Sequence, residues 1–157
     1  MSEIDQFDLR LLDILQTDTT LSVKEMADKI GLSGTPCWRR IQRLHEKGYI
    51  KKKVAILDRE RLNVGTTVFI TVRIAHHTNE WEDRLMETVQ NIPEIMEFYA
   101  ISGDIDFLMR AVVPDIKAYD KLYRMLVSQM EYADVSCMFA IEEVKSTTAI
   151  PLTYVPH

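Results

Sequence analysis

Near residue 60 the apolar residues of this 157-residue chain stop recurring at helical spacing and begin to alternate, which divides the sequence into two bodies of different kind. Upstream, Asp5 precedes a helical pattern at Phe7, Leu11, Ile14 and Leu15 that predicts a capped amphipathic helix to about Gln16. Ser22 caps a second, short helix with Val23, Met26, Ala27 and Ile30 on one face, and Gly31 stops it. A third helix starts at Ser33-Gly34-Thr35-Pro36, where an early proline sacrifices no intrahelical bond, and runs to Lys47 before Gly48. Tyr49 to Leu57 fits a short hairpin or wing. Downstream, Val68, Ile70, Val72 and Ile74 share one face of a strand, with Thr67, Phe69, Thr71 and Arg73 opposite. Asn79 to Ile92 is helical, with Trp81, Leu85, Val89 and Ile92 inward; Ile95 to Ser102 and Asp106 to Val113 form a hairpin about Gly103-Asp104. Asp115 caps a helix with Ile116, Tyr119, Tyr123, Leu126 and Met130 inward, and Val135, Cys137, Phe139 and Ile141 form a last strand. The order β-α-β-β-α-β is that of a ferredoxin-like domain. The expected fold class is α+β: a winged helix-turn-helix over residues 1–61 and a ferredoxin-like βαββαβ domain over 62–157.

Charge follows the same division. The chain carries a net charge of −5, yet residues 1–61 hold twelve Lys and Arg against ten Asp and Glu. Within 33–53, Arg39, Arg40, Arg43, Lys47, Lys51, Lys52 and Lys53 face Glu46 alone. On a helical wheel Arg39, Arg40, Arg43 and Lys47 fall within one arc of about 100°, beside an apolar stripe of Cys37, Ile41 and Leu44. The stripe suits packing on the first two helices, and the arc suits the major groove, with the wing lysines on phosphates. A solvated charged face is the plainer explanation of most cationic helices, but such faces mix acids with bases at i, i+4, and this arc contains no acid. Candidate DNA contacts are therefore Ser33, Gly34, Thr35 and Pro36 at the helix start, then Arg39, Arg40, Arg43, Lys47, Lys51, Lys52 and Lys53.

Other chemistry is excluded by what the sequence lacks. Cys37 and Cys137 form no CxxC motif, and the adjacent His76 and His77 point to opposite faces of a strand end, so neither a metal site nor a disulfide scaffold is expected. Cys37 belongs to the core stripe, Trp38 is expected to pack within the protein away from the basic arc, and Cys137 belongs to a core or an interface. No Ser/His/Asp or Cys/His constellation and no phosphate-binding glycine loop is present, so no catalysis and no cofactor are expected. No run of 18 apolar residues occurs and the segment Met1 to Asp5 is acidic, so no membrane partner and a cytoplasmic, nucleoid-associated location are expected. Around Gly103, Asp104 and Asp106 are either hairpin residues bonding their own backbone or part of a pocket whose N–H groups receive an α-carboxylate and whose Asp receives an α-ammonium.

The stretch Val23 to Ile41, above all Leu32-Ser33-Gly34-Thr35-Pro36-Cys37, resembles the helix-turn-helix of the Lrp/AsnC (feast/famine) regulators. Ile101 to Leu108, Val113-Pro114-Asp115-Ile116 with Tyr119, and Glu142-Glu143-Val144-Lys145 look like that family's effector domain, so the resemblance runs nearly the length of the chain. Gly34 stands where the family pattern has Pro or Thr. The resemblance implies a DNA-binding transcriptional regulator of double-stranded DNA. It also implies a small-molecule effector, an amino acid, received near Ser102, Gly103, Asp104 and Asp106, and sheets that pair subunits into a homodimer or a higher homo-oligomer such as an octamer. Two other readings stand beside it: a nucleoid-type architectural protein that ignores metabolites, and an enzyme built on the ferredoxin-like half.

Overall fold

The computed structural model describes residues 4–74, 78–129, 132 and 134–155. Three helices come first: α1 (Gln6–Thr17), α2 (Val23–Ile30) and α3 (Gly34–Glu46). The starts of α1 and α2 are fixed by capping boxes. Asp5 accepts from the Phe7 and Asp8 N–H groups while Asp8 accepts from the Asp5 N–H, and Ser22 and Glu25 exchange the equivalent bonds. Gly31, at φ 77°, ends α2 in the left-handed conformation that glycine adopts without a Cβ penalty. Leu11 and Leu15 of α1, Met26, Ala27 and Ile30 of α2, and Cys37, Ile41 and Leu44 of α3 close one small core.

The segment expected to form a hairpin or wing contains no strand, and Lys51 to Leu57 is exposed throughout. Three successive lysines repel one another, and no Asn-Gly or Gly-Gly pair supplies a reversal, so nothing local closes a hairpin here. Trp38 also departs from expectation, being 51% exposed. The docking stripe centres on Cys37 and Leu44, and Trp38 lies too far round the helix to reach the core.

The second body is built on β1 (Thr66–Arg73), α4 (Asn79–Gln90), β2 (Ile95–Ala100), β3 (Phe107–Val113), α5 (Ile116–Gln129) and β4 (Asp134–Phe139). All its strand pairs are antiparallel in the order β2-β3-β1-β4, the ferredoxin-like arrangement. Ile70 lies opposite Met109 on one side and Cys137 on the other. Val68, Ile70 and Val72 share the inner face with Met109, Ala111 and Val113, and Leu85 and Val89 of α4, Ile92 just after it, and Tyr119, Leu122 and Leu126 of α5 cover it. Ile116 is exposed and Leu122 takes the inward place expected of its neighbour Tyr123, which is half-buried; Met130 lies outside the described residues. The inward stripe of α5 thus follows Tyr119, Leu122 and Leu126, keeping two of the expected residues and exchanging Tyr123 for its neighbour. The last strand stops at Phe139, leaving Ile141 fully exposed. Phe69, Leu108, Tyr99 and Met138 line the opposite face of the sheet, where Glu97 and Arg110 form an ion pair at 2.6 Å.

The chain divides into one unit of residues 1–55 with 144–157 and another of 56–143. The expected boundary at 61/62 therefore shifts, and the last fourteen residues join the helical unit. There the Gln16 side chain clasps Ile150, donating to its carbonyl at 3.2 Å and accepting from its N–H at 3.0 Å, while Val155 packs on the helical core. Residues 56–65 belong to the sheet unit, where Arg59 donates to Thr67 Oγ1 and pairs with Glu143, both at 2.8 Å. An irregular tail carries no periodicity to reveal which core it packs on.

Ile70 has no exposure and pairs with both neighbouring strands. Ile70→Ala is expected to destabilise the sheet unit by about 2–5 kcal/mol, measured by chemical denaturation.

Candidate nucleic-acid interface and the β2–β3 turn

The cations of α3 are not equivalent in the structure. Asp8 lies on the face of α1 that also carries Leu11 and Leu15, and it is fully buried. A carboxylate removed from water requires charged partners, and α3 provides two. The Arg40 guanidinium donates to Asp8 at 2.9 Å and to Asp5 at 2.7 Å, and Arg43 donates to the other Asp8 oxygen. Arg40 also lies over the Phe7 ring, 5.4 Å from its centroid. Burial works to lower the ionisation of Arg40, but the two carboxylates outweigh it and raise its pKa. Burial likewise acts to raise Asp5, and the Asp8 N–H followed by Arg40 reverses this, holding the Asp5 carboxyl below its usual range.

The single outward arc of four cations is therefore corrected: Arg40 and Arg43 are turned onto α1 and join it to α3. Arg40 adjoins the apolar stripe on its Leu44 side, and the long Arg43 side chain, further round on that same side, also reaches Asp8 on the neighbouring helix. The sequence contained the signal, because Asp8 occupies the apolar stripe of α1, and a carboxylate at such a position calls for a cation from whatever packs there. Arg39 is exposed and makes no hydrogen bond or ion pair among the described residues. Lys47 follows the helix as its C-cap residue, and Lys51, Lys52 and Lys53 are exposed on the extended segment beyond it.

At the start of α3, Ser33 occupies the N-cap without a side-chain capping bond, and Ser33, Gly34, Thr35 and Pro36 are all exposed. The first turn of α3 is thus open to solvent. A Cβ on Gly34 would meet open space, so the departure from the family pattern there is sterically neutral. Cys37 is fully buried and desolvation raises its thiol pKa, as suits a small core residue. Cys137, on the edge strand β4, is exposed. His76 and His77 lie outside the described residues.

In the second unit, residues 101–106 join β2 to β3, and the Ile101 N–H closes the turn on the Asp106 carbonyl at 2.8 Å. The Asp106 carboxylate accepts from the Ile74 N–H at 2.8 Å and its own N–H donates to the Val72 carbonyl, so this residue fastens the turn to the end of β1. Arg73 Nε donates to the Asp104 carbonyl at 3.0 Å. Ser102, Gly103 and Asp104 are exposed, and Gly103 has φ 149°, a conformation that side chains rarely adopt. The structure thus gathers the four candidate effector residues on one turn, with Asp106 anchoring it and the Asp104 carboxylate facing outward.

Comparison with known proteins decides the family. The model of the AsnC-type helix-turn-helix domain matches residues 4–45 and that of the Lrp/AsnC ligand binding domain matches 67–150, together well over half of the chain. The chain belongs to the Lrp/AsnC family of transcriptional regulators. The glutamate uptake regulatory protein of Zymomonas mobilis is 43% identical over 150 residues, which cover 96% of this chain and 92% of the relative. An AsnC family transcriptional regulator from Agrobacterium tumefaciens superimposes with TM-score 0.94 at 49% identity, covering 98% of this chain and all of the other. A transcriptional regulator of Neisseria meningitidis, solved as an L-Met complex, gives TM-score 0.92 at 28% identity, covering 98% and 99%. In this Lrp/AsnC chain, α1–α3 form the DNA-binding helix-turn-helix and the sheet unit contains the family's ligand-binding fold. Its relatives are regulators, so the enzyme reading falls.

Two outcomes follow from the ionic cluster. Asp8→Ala leaves Arg43 without its acid and Arg40 with Asp5 alone; it is expected to cost about 2–3 kcal/mol, below the range for wholly buried pairs because both arginines touch water. Urea unfolding of the helical unit measures it. Because the folded pKa of Asp5 is depressed, its contribution is present above the unfolded value near 3.8 and disappears as pH falls through the folded value. Acidification from pH 6 to 3 should therefore lower the melting temperature, and Asp5→Asn should flatten that decline.

Proposed function

We propose that this chain regulates transcription as a two-fold assembly on operator DNA and that a free amino acid bound at the β2–β3 turn changes that binding. The carrying observation is the exposed start of α3, followed within one short stretch by Arg39, Lys47 and the three lysines. Ser33, Gly34, Thr35 and Pro36 bring the helix N-terminus to the groove, where backbone N–H groups suit a phosphate. Arg39 approaches bases, while Lys47, Lys51, Lys52 and Lys53 neutralise the backbone. Arg40 and Arg43 support this surface from behind rather than reading DNA.

The apolar outer sheet face with Phe69, Tyr99, Leu108 and Met138 suits a second copy, giving a homodimer from which higher assemblies grow. Two-fold pairing implies a roughly palindromic operator. At the turn, the N–H groups of Ser102, Gly103 and Asp104 suit an α-carboxylate and the Asp104 side chain an α-ammonium, with Asp106 holding the turn in place. The names of two relatives point to amino-acid chemistry, one through glutamate uptake and one through its L-Met complex. Effect on DNA requires that the amino acid bind one assembly state more tightly than another. The place of action is the nucleoid in the cytoplasm.

The test titrates the full chain against genomic operator fragments and random duplex DNA, with and without each amino acid. Preference for its own site by about 10³-fold or more, altered by particular amino acids, is expected. Replacing Lys51, Lys52 and Lys53 with Ala should weaken binding to all sequences alike and reduce the salt slope by about one for each phosphate no longer neutralised. Equal affinity for random DNA, indifferent to every amino acid, is the result of an architectural protein and would overturn the proposal.

A further inference from the structure

The packing of α3 separates its residues into three sets. Cys37, Ile41 and Leu44 are buried, and Arg40 and Arg43 are half-buried at the edge of that stripe and engaged by Asp5 and Asp8. Opposite the buried stripe, Thr35, Trp38, Arg39 and Gln42 recur at i, i+3, i+4 and i+7 and therefore share one face. All four are exposed, and none of their side chains has a hydrogen-bonding or ionic partner among the described residues.

The composition of this face is unlike that of a solvated helix surface. A half-exposed Trp has no packing reason to be there. The Gln42 amide has the donor and acceptor that match adenine N6 and N7, the Arg39 guanidinium matches guanine O6 and N7, and the Trp38 ring offers apolar surface to a thymine methyl. From residue 35 to 42 the helix advances about 10 Å, on the order of three base steps. Exposed Lys51, Lys52 and Lys53 follow in sequence, so the chemistry beside the face is that of a polyanion's partner.

We propose that the face formed by Thr35, Trp38, Arg39 and Gln42 is the base-reading surface, with Gln42 and Arg39 as the residues that determine operator sequence. This rests on the DNA reading above and replaces the Arg40 and Arg43 side of the helix as the source of specificity. Each of the two specificity residues governs a different base pair in every half-site, and Trp38 contributes by contact with a thymine methyl.

The test is selection of binding sites from a random duplex library by the full-length protein, followed by affinity measurement on the selected site and its single-base variants. Melting temperature is recorded for each protein. Gln42→Ala is expected to relax preference at one base pair per half-site by about 10- to 100-fold while leaving affinity for random DNA within about twofold. Arg39→Ala should relax a different base pair, and Arg40→Ala should lower the melting temperature without changing which bases are preferred. Gln42→Ala and Arg39→Ala proteins that melt like wild type and retain every base preference would overturn the assignment while leaving the DNA reading intact. A wild-type chain that selects no sequence would overturn both.

Discussion

The helical unit depends on a carboxylate that is shut away from water. Asp8 lies between α1 and α3, and a charge in that position is tolerable only because two guanidinium groups reach it from one side. Those groups stand three residues apart on α3, so satisfying both fixes the rotation of that helix about its own axis. Apolar packing alone would permit Cys37, Ile41 and Leu44 to slide or roll against α1 with little change in buried area, whereas the ionic bonds are directional. The same acid also belongs to the capping box at the start of α1, so the beginning of one helix and the orientation of another are set by one side chain.

The sheet unit shows a comparable dependence on a few directional bonds. The turn between β2 and β3 is held from the end of β1 and the residue after it: the Ile74 N–H binds the Asp106 carboxylate, the Val72 carbonyl receives the Asp106 N–H, and Arg73 reaches the Asp104 carbonyl. The last two residues of a central strand and the one that follows it therefore position a turn between two other strands. The backbone conformation of Gly103 belongs to the same device, since it places the peptide where a side chain is strained.

Much of this is legible in the sequence because periodicity reports burial. The alternation at Val68, Ile70 and Val72, the helical spacing of Leu85, Val89 and Ile92, and the N-cap residues Asp5 and Ser22 each specify local structure through one dominant interaction. Legibility fails where two elements share the decision. The basic arc of α3 is uniform on a wheel, but Arg40 and Arg43 answer to Asp8, thirty-odd positions earlier in the chain. The inward stripe of α5 differs by one residue from its expected course because Leu122 and Tyr123 are both apolar, and only the sheet beneath chooses between them. The extended run Lys51 to Leu57 has no partner strand among the described residues, and the tail from Val144 has no pattern that would announce its attachment to the helical unit.

That attachment has a consequence for how the chain acquires its structure. Gln16, near the end of the first helix, and Ile150 are 134 positions apart, yet they close on each other with reciprocal hydrogen bonds. The sheet unit is in effect an insertion between two pieces of the helical one. During synthesis from the N-terminus, all four strands have left the ribosome before the segment that completes the helical unit is available. The tail therefore joins α1 by a long-range closure whose entropic cost falls once the intervening sheet is folded, since a compact insert holds its own ends at a fixed separation. The core of α1–α3 is closed by residues made first, and what arrives last is the clasp on Gln16 and the packing of Val155.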